Sequence, residues 1–177
     1  MIYKNEKLSK YSWFNLGGPA EVFFKPNSID DLKNFLLNSK NKKDKIFILG
    51  AGSNTLFRDA GFDGIIIKLG KAFTETKLLE NNKIEVGAAT LDKKLSDFAY
   101  QNSLSGLEFL SCIPGSIGGA ITMNSGCYDS DISKIFVSLK AINLSGEIKS
   151  FTKDEVKFFY RGNNLNNKLI ILSVILQ

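Results

Sequence analysis

IFILGAGSNTLFRDAGFDGIIIK, residues 46–68, decides how the rest of the chain is read. The apolar run 46–49 stops at Gly50-Ala51-Gly52-Ser53-Asn54, and a second apolar run, 64–67, follows. Branched and aromatic side chains on either side of a loop of small residues predict buried strand, glycine loop, strand. Glycines let a backbone approach a ligand closely and turn through positive φ. Successive free N–H groups, with the Ser53 hydroxyl and Asn54 amide, form an anion-binding concavity. A phosphate or pyrophosphate is the natural guest. The spacing is not a Rossmann fingerprint, because no third glycine opens a helix at Thr55, and no Walker A pattern occurs. For this stretch alone, a strand connection with turn glycines is the alternative.

Composition narrows the chemistry. The chain has 177 residues, 44% hydrophobic and 23% charged, enough to bury a core as one domain or two small lobes. Its net charge is +5, yet only Arg58 and Arg161 among the 23 basic residues are arginine. Readers of nucleic acid favour the arginine fork, so a lysine surplus densest at Lys40, Lys42, Lys43 and Lys45 predicts a solvated loop and no nucleic-acid partner. The absence of histidine removes Ser-His-Asp and Cys-His catalysis, histidine zinc sites and histidyl-linked cofactors. Cys112 and Cys127 cannot make a zinc site by themselves. They are expected to be packing thiols, with a disulfide left open, which fits a reducing cytoplasm. The stretch 1–13 has no apolar core of a signal peptide. Residues 109–128 are charge-free over a membrane-spanning length, but Pro114 and four glycines predict a buried ligand loop and no membrane span.

In chain order, 15–19 predicts a turn and 20–24 a strand stopped by Pro26. Ser28 with Asp31 predicts the capped start of an amphipathic helix to about Ser39, so strand, helix, strand, glycine loop and strand make a small α/β lobe over residues 1–68. A second lobe, 69–177, begins with a hairpin, 73–79 and 84–86, turning at Asn81-Asn82. Thr90 is read as the cap of a helix to about Asn102. Glycine-rich residues 106–126 come next, where Pro114 suits the first turn of a short helix with free N–H groups. Gly118 and Gly119 inside that helix cost about 1 kcal/mol each relative to alanine, which close approach by ligand or backbone would explain. A hairpin at 135–143 and 147–151, a turn at 152–155 and an apolar strand at 169–176 complete the chain. Two glycine-rich anion sites point to a ligand with two phosphates.

Four blocks together resemble one family, the UDP-N-acetylenolpyruvoylglucosamine reductases: SWFNLGGPAE (12–21), GAGSNTLFRDAGFDG (50–64), GLEFLSCIPGSIGGAITMNSGCYDSDI (106–132) and FFYR (158–161). The glycine loops are shared with flavoproteins of the vanillyl-alcohol-oxidase type. The resemblance implies an α+β, two-lobed FAD-binding fold, a small βαβ lobe followed by a larger antiparallel-sheet lobe. It implies noncovalent FAD, gripped by Gly50, Ala51, Gly52, Ser53, Asn54 and Thr55 and by Ile113, Pro114, Gly115, Ser116, Gly118, Gly119 and Ala120. It further implies NADPH as reductant, an enolpyruvyl UDP-sugar as substrate, Arg161 as the catalytic residue facing the substrate carboxylate, and Tyr128 near the substrate. No metal is implied, and a monomer is favoured. Cys127 and Ser125 stand where the family usually has alanine. Family members continue into a third domain bearing a serine proton donor, which does not follow Leu176 here. The 177 residues are therefore expected to hold flavin without completing the reaction, a stand-alone flavin module being the rival reading.

Overall fold

The computed structural model describes residues 1–38 and 45–177. Most of the lysine-rich loop, and the helix end at Ser39, lie outside the described residues. Strand β1 (Ile2–Lys7) pairs antiparallel with β2 (Pro19–Phe24). Helix α1 (Ile29–Asn38) follows, and it starts as the sequence predicts: the Asp31 N–H donates to Ser28 Oγ at 3.0 Å, and the Asn27 N–H donates to the Asp31 carboxylate at 2.9 Å. Its apolar face buries Leu32 and Leu36 completely, while Phe35 stacks on Phe24 with ring centroids 3.9 Å apart. Strands β3 (Ile46–Ile48) and β4 (Phe62–Ile67) run parallel to each other, and β4 also runs parallel to β2, giving the sheet order β1-β2-β4-β3. β3 is therefore an edge strand, with Phe47 exposed, and not the buried strand its composition predicts. Burial belongs to the central β4, where Ile65, Ile66 and Ile67 are covered on both faces.

The second sheet is antiparallel. A turn at Asn81 and Asn82, both at positive φ, joins β5 (Thr76–Leu78) to β6 (Ile84–Gly87). Residues 71–73 coil into a 3₁₀ turn and not strand, so the first strand is shorter than the sequence predicts. Helix α2 (Asp92–Gln101) and the short α3 (Ile117–Met123) pack against this sheet. Two-residue strands β7 (Gly126–Cys127) and β8 (Ser130–Asp131) pair, a single turn α4 (Ile132–Ile135) follows, and β9 (Phe136–Ile142) and β10 (Ile148–Thr152) form the expected hairpin. The small hairpin β11 (Phe158–Phe159) and β12 (Gly162–Asn163) precedes β13 (Ile170–Leu176), which sits between β9 and β6 in the order β10-β9-β13-β6-β5.

The unbroken hydrophobicity of β13 has a geometric cause. Ile170 and Leu172 join Phe24, Leu32, Leu36, Ile65 and Ile67 in a cluster between the two sheets, while Ile171, Val174 and Leu176 face the helices of the second. A register shift between Ile171 and Ser173 resets the alternation so that both faces stay apolar. Ile170 is completely buried in the shared cluster. Ile170→Ala should cost about 2–5 kcal/mol. Denaturant melts should show a lower midpoint at an unchanged slope. A loss below about 1 kcal/mol would mean that the two sheets do not depend on this contact.

Candidate functional site

The first glycine loop leaves the sheet just after β3, where Leu49 extends the ladder by donating to the Ile67 carbonyl at 2.9 Å. Gly52 sits at φ +81°, and a Cβ there would collide with the Tyr11 carbonyl, so only glycine fits. The N-terminal segment clamps the loop: the Trp13 N–H donates to the Gly52 carbonyl at 3.1 Å, and the buried Ser12 hydroxyl donates to the Thr55 carbonyl at 2.9 Å. Lys68, at the end of β4, donates to the Gly50 carbonyl. Burial, and then the nearby Lys25, push the Lys68 ammonium below its usual range. The backbone N–H groups of residues 50–54 donate to no acceptor among the described residues.

The second loop is laced to the segment between β6 and the start of α2. Asp92 N–H donates to the Gly115 carbonyl at 3.2 Å, Ile117 N–H to Thr90 at 2.9 Å and Gly118 N–H to Ala88 at 2.8 Å. α3 begins only at Ile117, three residues after Pro114, so the proline lies in the preceding loop and not in the first turn. With seven residues, α3 has little macrodipole to offer, and the anion-facing groups are those of the loop itself. The N–H groups of Gly115, Ser116 and Gly119 have no acceptor among the described residues. The two loops meet: a Cβ on Gly50 would lie 2.8 Å from Ser116 Oγ. Gly118 is explained by backbone packing, since its Cβ would be 3.2 Å from Ala88. Gly119 is not, because beyond its own helix backbone the one atom near its Cβ among the described residues would be Ser116 Oγ at 3.6 Å.

Beneath the second loop lie polar atoms that sequence reasoning missed. Thr90 is no helix cap: Leu91 holds that position, and Thr90 Oγ1 is buried without a partner among the described residues. Both carboxylate oxygens of the fully buried Asp92 are likewise unpartnered. A Cβ on Gly115 would collide with the Asp92 carboxylate, so this loop glycine is set by a side chain below it. Burial pushes the Asp92 carboxyl up to about 7. Its place at the start of α2 favours the charged form by about 0.3–1 kcal/mol, too little to offset desolvation.

Arg161 stands at the tip of the β11–β12 hairpin at φ +57°. Both its terminal nitrogens reach the Gly126 carbonyl at 3.4 Å, and its guanidinium lies 5.3 Å from the Tyr160 ring centre. Two asparagines that the sequence did not single out tie this hairpin to the end of α3. Asn163 donates to the Ile121 carbonyl at 2.8 Å, and Asn124, itself left-handed at the helix end, donates to the Phe159 carbonyl at 3.2 Å. Arg161 and the second glycine loop are thus held by opposite ends of one helix. Tyr128 sits at φ +51° and is 87% exposed, on the turn between β7 and β8.

Asp92 gives the site a pH signature. In an unfolded chain it would ionise near 3.9. The folded protein therefore retains a proton that the unfolded chain releases. The stability this group contributes is full below about pH 4 and is lost as the pH rises through about 7. Asp92→Asn should leave the melting temperature nearly unchanged at pH 4 and raise it by several degrees at pH 8. A difference that is the same at both pH values would contradict the buried, unpaired carboxyl.

Comparison with known proteins bears on this geometry. Residues 20–152 match the family described as FAD binding domain. A UDP-N-acetylenolpyruvoylglucosamine reductase of Pelagibacter ubique (strain HTCC1062) is 49% identical over 166 residues, covering 94% of this chain and 55% of the relative. One from Rickettsia rickettsii (strain Sheila Smith) is 45% identical over 174 residues, covering 98% and 58%. The chain thus spans a little over half the length of these curated relatives. The crystal structure of UDP-N-acetylenolpyruvylglucosamine reductase (MurB) from Thermus caldophilus aligns with a TM-score of 0.85 at 28% identity, over 100% of this chain and 61% of that one. 6-Hydroxy-D-nicotine oxidase from Arthrobacter nicotinovorans aligns at 0.71 with 12% identity, over 100% of this chain and 41% of that one, a likeness of fold alone. Two mixed sheet-and-helix units carrying facing glycine loops, and a family match over most of the chain, agree: the chain belongs to the FAD binding domain family, with the two-lobed α+β fold, and is similar to the UDP-N-acetylenolpyruvoylglucosamine reductases.

Proposed function

We propose that residues 1–177 hold FAD for a reductase that converts the enolpyruvyl ether of UDP-N-acetylglucosamine to UDP-N-acetylmuramate, with NADPH as reductant, in the cytoplasmic synthesis of peptidoglycan precursors. The observation that carries this reading is the meeting of the two glycine loops, Gly50 against Ser116, with unpaired N–H groups on both. The fit to FAD is good on three counts. The free donors suit a pyrophosphate, Lys68 sets a positive charge beside the Gly50 loop, and the open flank of Gly119 leaves room for a ligand. In this assignment Gly50, Ala51, Gly52, Ser53, Asn54 and Thr55 of the first lobe (1–68) and Ile113, Pro114, Gly115, Ser116, Gly118, Gly119 and Ala120 of the second (69–177) form the cofactor grip.

FAD, when bound, supplies hydride transfer. The chain's own contribution at the substrate is Arg161, assigned to the carboxylate of the enolpyruvyl group, with Tyr128 beside it. A guanidinium stays charged and presents a planar fork that matches a carboxylate, and it stabilises the negative charge that develops as the alkene is reduced. It cannot give the proton the neighbouring carbon needs. With no histidine in these 177 residues, the chain by itself is assigned flavin binding without turnover. Nucleic acid and membrane are not proposed partners, and a monomer is the proposed state.

Titration of the purified chain with FAD should yield a yellow protein whose chromophore is released by acid or heat. A folded chain that stays colourless with excess FAD would overturn the assignment. In the full-length protein, Arg161→Lys should slow reduction of the enolpyruvyl substrate by ~10²-fold or more while leaving reduction of the flavin by NADPH nearly intact. Equal loss in both half-reactions would make Arg161 a folding residue.

A further inference from the structure

The two cysteines lie on separate elements yet face each other. Cys112 ends the 3₁₀ segment Glu108–Cys112, and Cys127 is the second residue of β7. Their Sγ atoms are 3.2 Å apart, and both thiols point at the same acceptor, the Phe109 carbonyl, at 3.2 Å from Cys112 and 3.3 Å from Cys127. Both are free thiols, with Cys112 exposed and Cys127 half-buried. On the neighbouring residue of β7, the Gly126 carbonyl accepts from the Arg161 guanidinium. Burial, and then the hydrogen bond with Cys112, hold the Cys127 thiol above its usual range, opposed by the Arg161 charge. Cys112 is accordingly the thiol that an external reagent meets first, with Cys127 held protonated behind it.

We propose that Cys112 and Cys127 form a reversible redox dithiol, a modification site for low-molecular-weight disulfides. The Cys112 thiolate attacks one sulfur of the small disulfide, forming a mixed disulfide and expelling one small thiolate. Cys127 then loses its proton and attacks the Cys112 sulfur, forming the protein disulfide and expelling the second thiolate. Two protein thiols are oxidised by two electrons and one small disulfide is reduced to two thiols, so the exchange balances. Closure to the S–S bond length of about 2.05 Å needs a movement of about 1 Å, within reach of a two-residue strand next to a turn. Because the second thiol is already in contact, its effective concentration reaches at least the millimolar range, and the mixed disulfide does not accumulate. The bond would fasten β7, and with it the carbonyl that Arg161 grips, to the segment leading into the second glycine loop.

The test is incubation of the native chain with a millimolar glutathione disulfide buffer, read by thiol titration and intact mass. The free-thiol count should fall from two to zero, with the loss of two hydrogens and no added glutathione, and a reductant should restore both thiols. Cys112→Ser and Cys127→Ser should each instead retain one glutathione adduct, which also shows that the remaining thiol is reachable. Wild type that keeps both thiols free, or that carries glutathione on both cysteines without an internal bond, would overturn the proposal.

Discussion

Two loops from different parts of the fold can present their backbone N–H groups to one ligand only where no bulky side chain stands between them. That constraint is met at Gly50 and Ser116, and much of the molecule serves it. The shared cluster of Phe24, Leu32, Ile65, Ile67, Ile170 and Leu172 fixes one sheet against the other. Tyr11, Ser12 and Trp13 fix the first loop from one side, and the backbone of residues 88–92 fixes the second.

The electrostatics divide the labour between charged and neutral groups. Lys68 donates to the Gly50 carbonyl of the first loop, and its partial burial strengthens its field there. Below the second loop, burial pushes the Asp92 carboxyl up to about 7 and so lessens the negative charge beneath the loop's N–H groups. Arg161 lies at the other end of α3, tied by Asn124 and Asn163, so the second glycine loop and the guanidinium fork are spaced by a single short helix.

The sequence carried the local grammar well. Ser28 and Asp31 start α1 as their spacing requires, Asn81-Asn82 turn a hairpin, and both glycine-rich loops fall where they were read. What it concealed was set by tertiary neighbours. β3 reads as buried because apolar runs do not disclose sheet order, and it lies at an edge. β1 contains Lys4, Asn5 and Glu6, and it pairs only because β2 offers it an edge. Thr90 has the residue type of a cap, but the helix starts one residue later, with Leu91 bridged to Ser116. Asp92 looks like a surface charge on an amphipathic helix until the second loop covers it. The grounds for Gly118 and Gly119 could be separated only in three dimensions, one facing Ala88 and the other open.

The central claim is that both glycine loops close on one FAD molecule. Hydrogen exchange of the chain with and without FAD tests it most directly, because the amides concerned lack acceptors among the described residues and should exchange readily in the free state. The account predicts that the amides of residues 50–54 and those of Gly115, Ser116 and Gly119 become protected together, at the same FAD concentration. Protection of one segment alone, or of neither while FAD binds elsewhere, would contradict it.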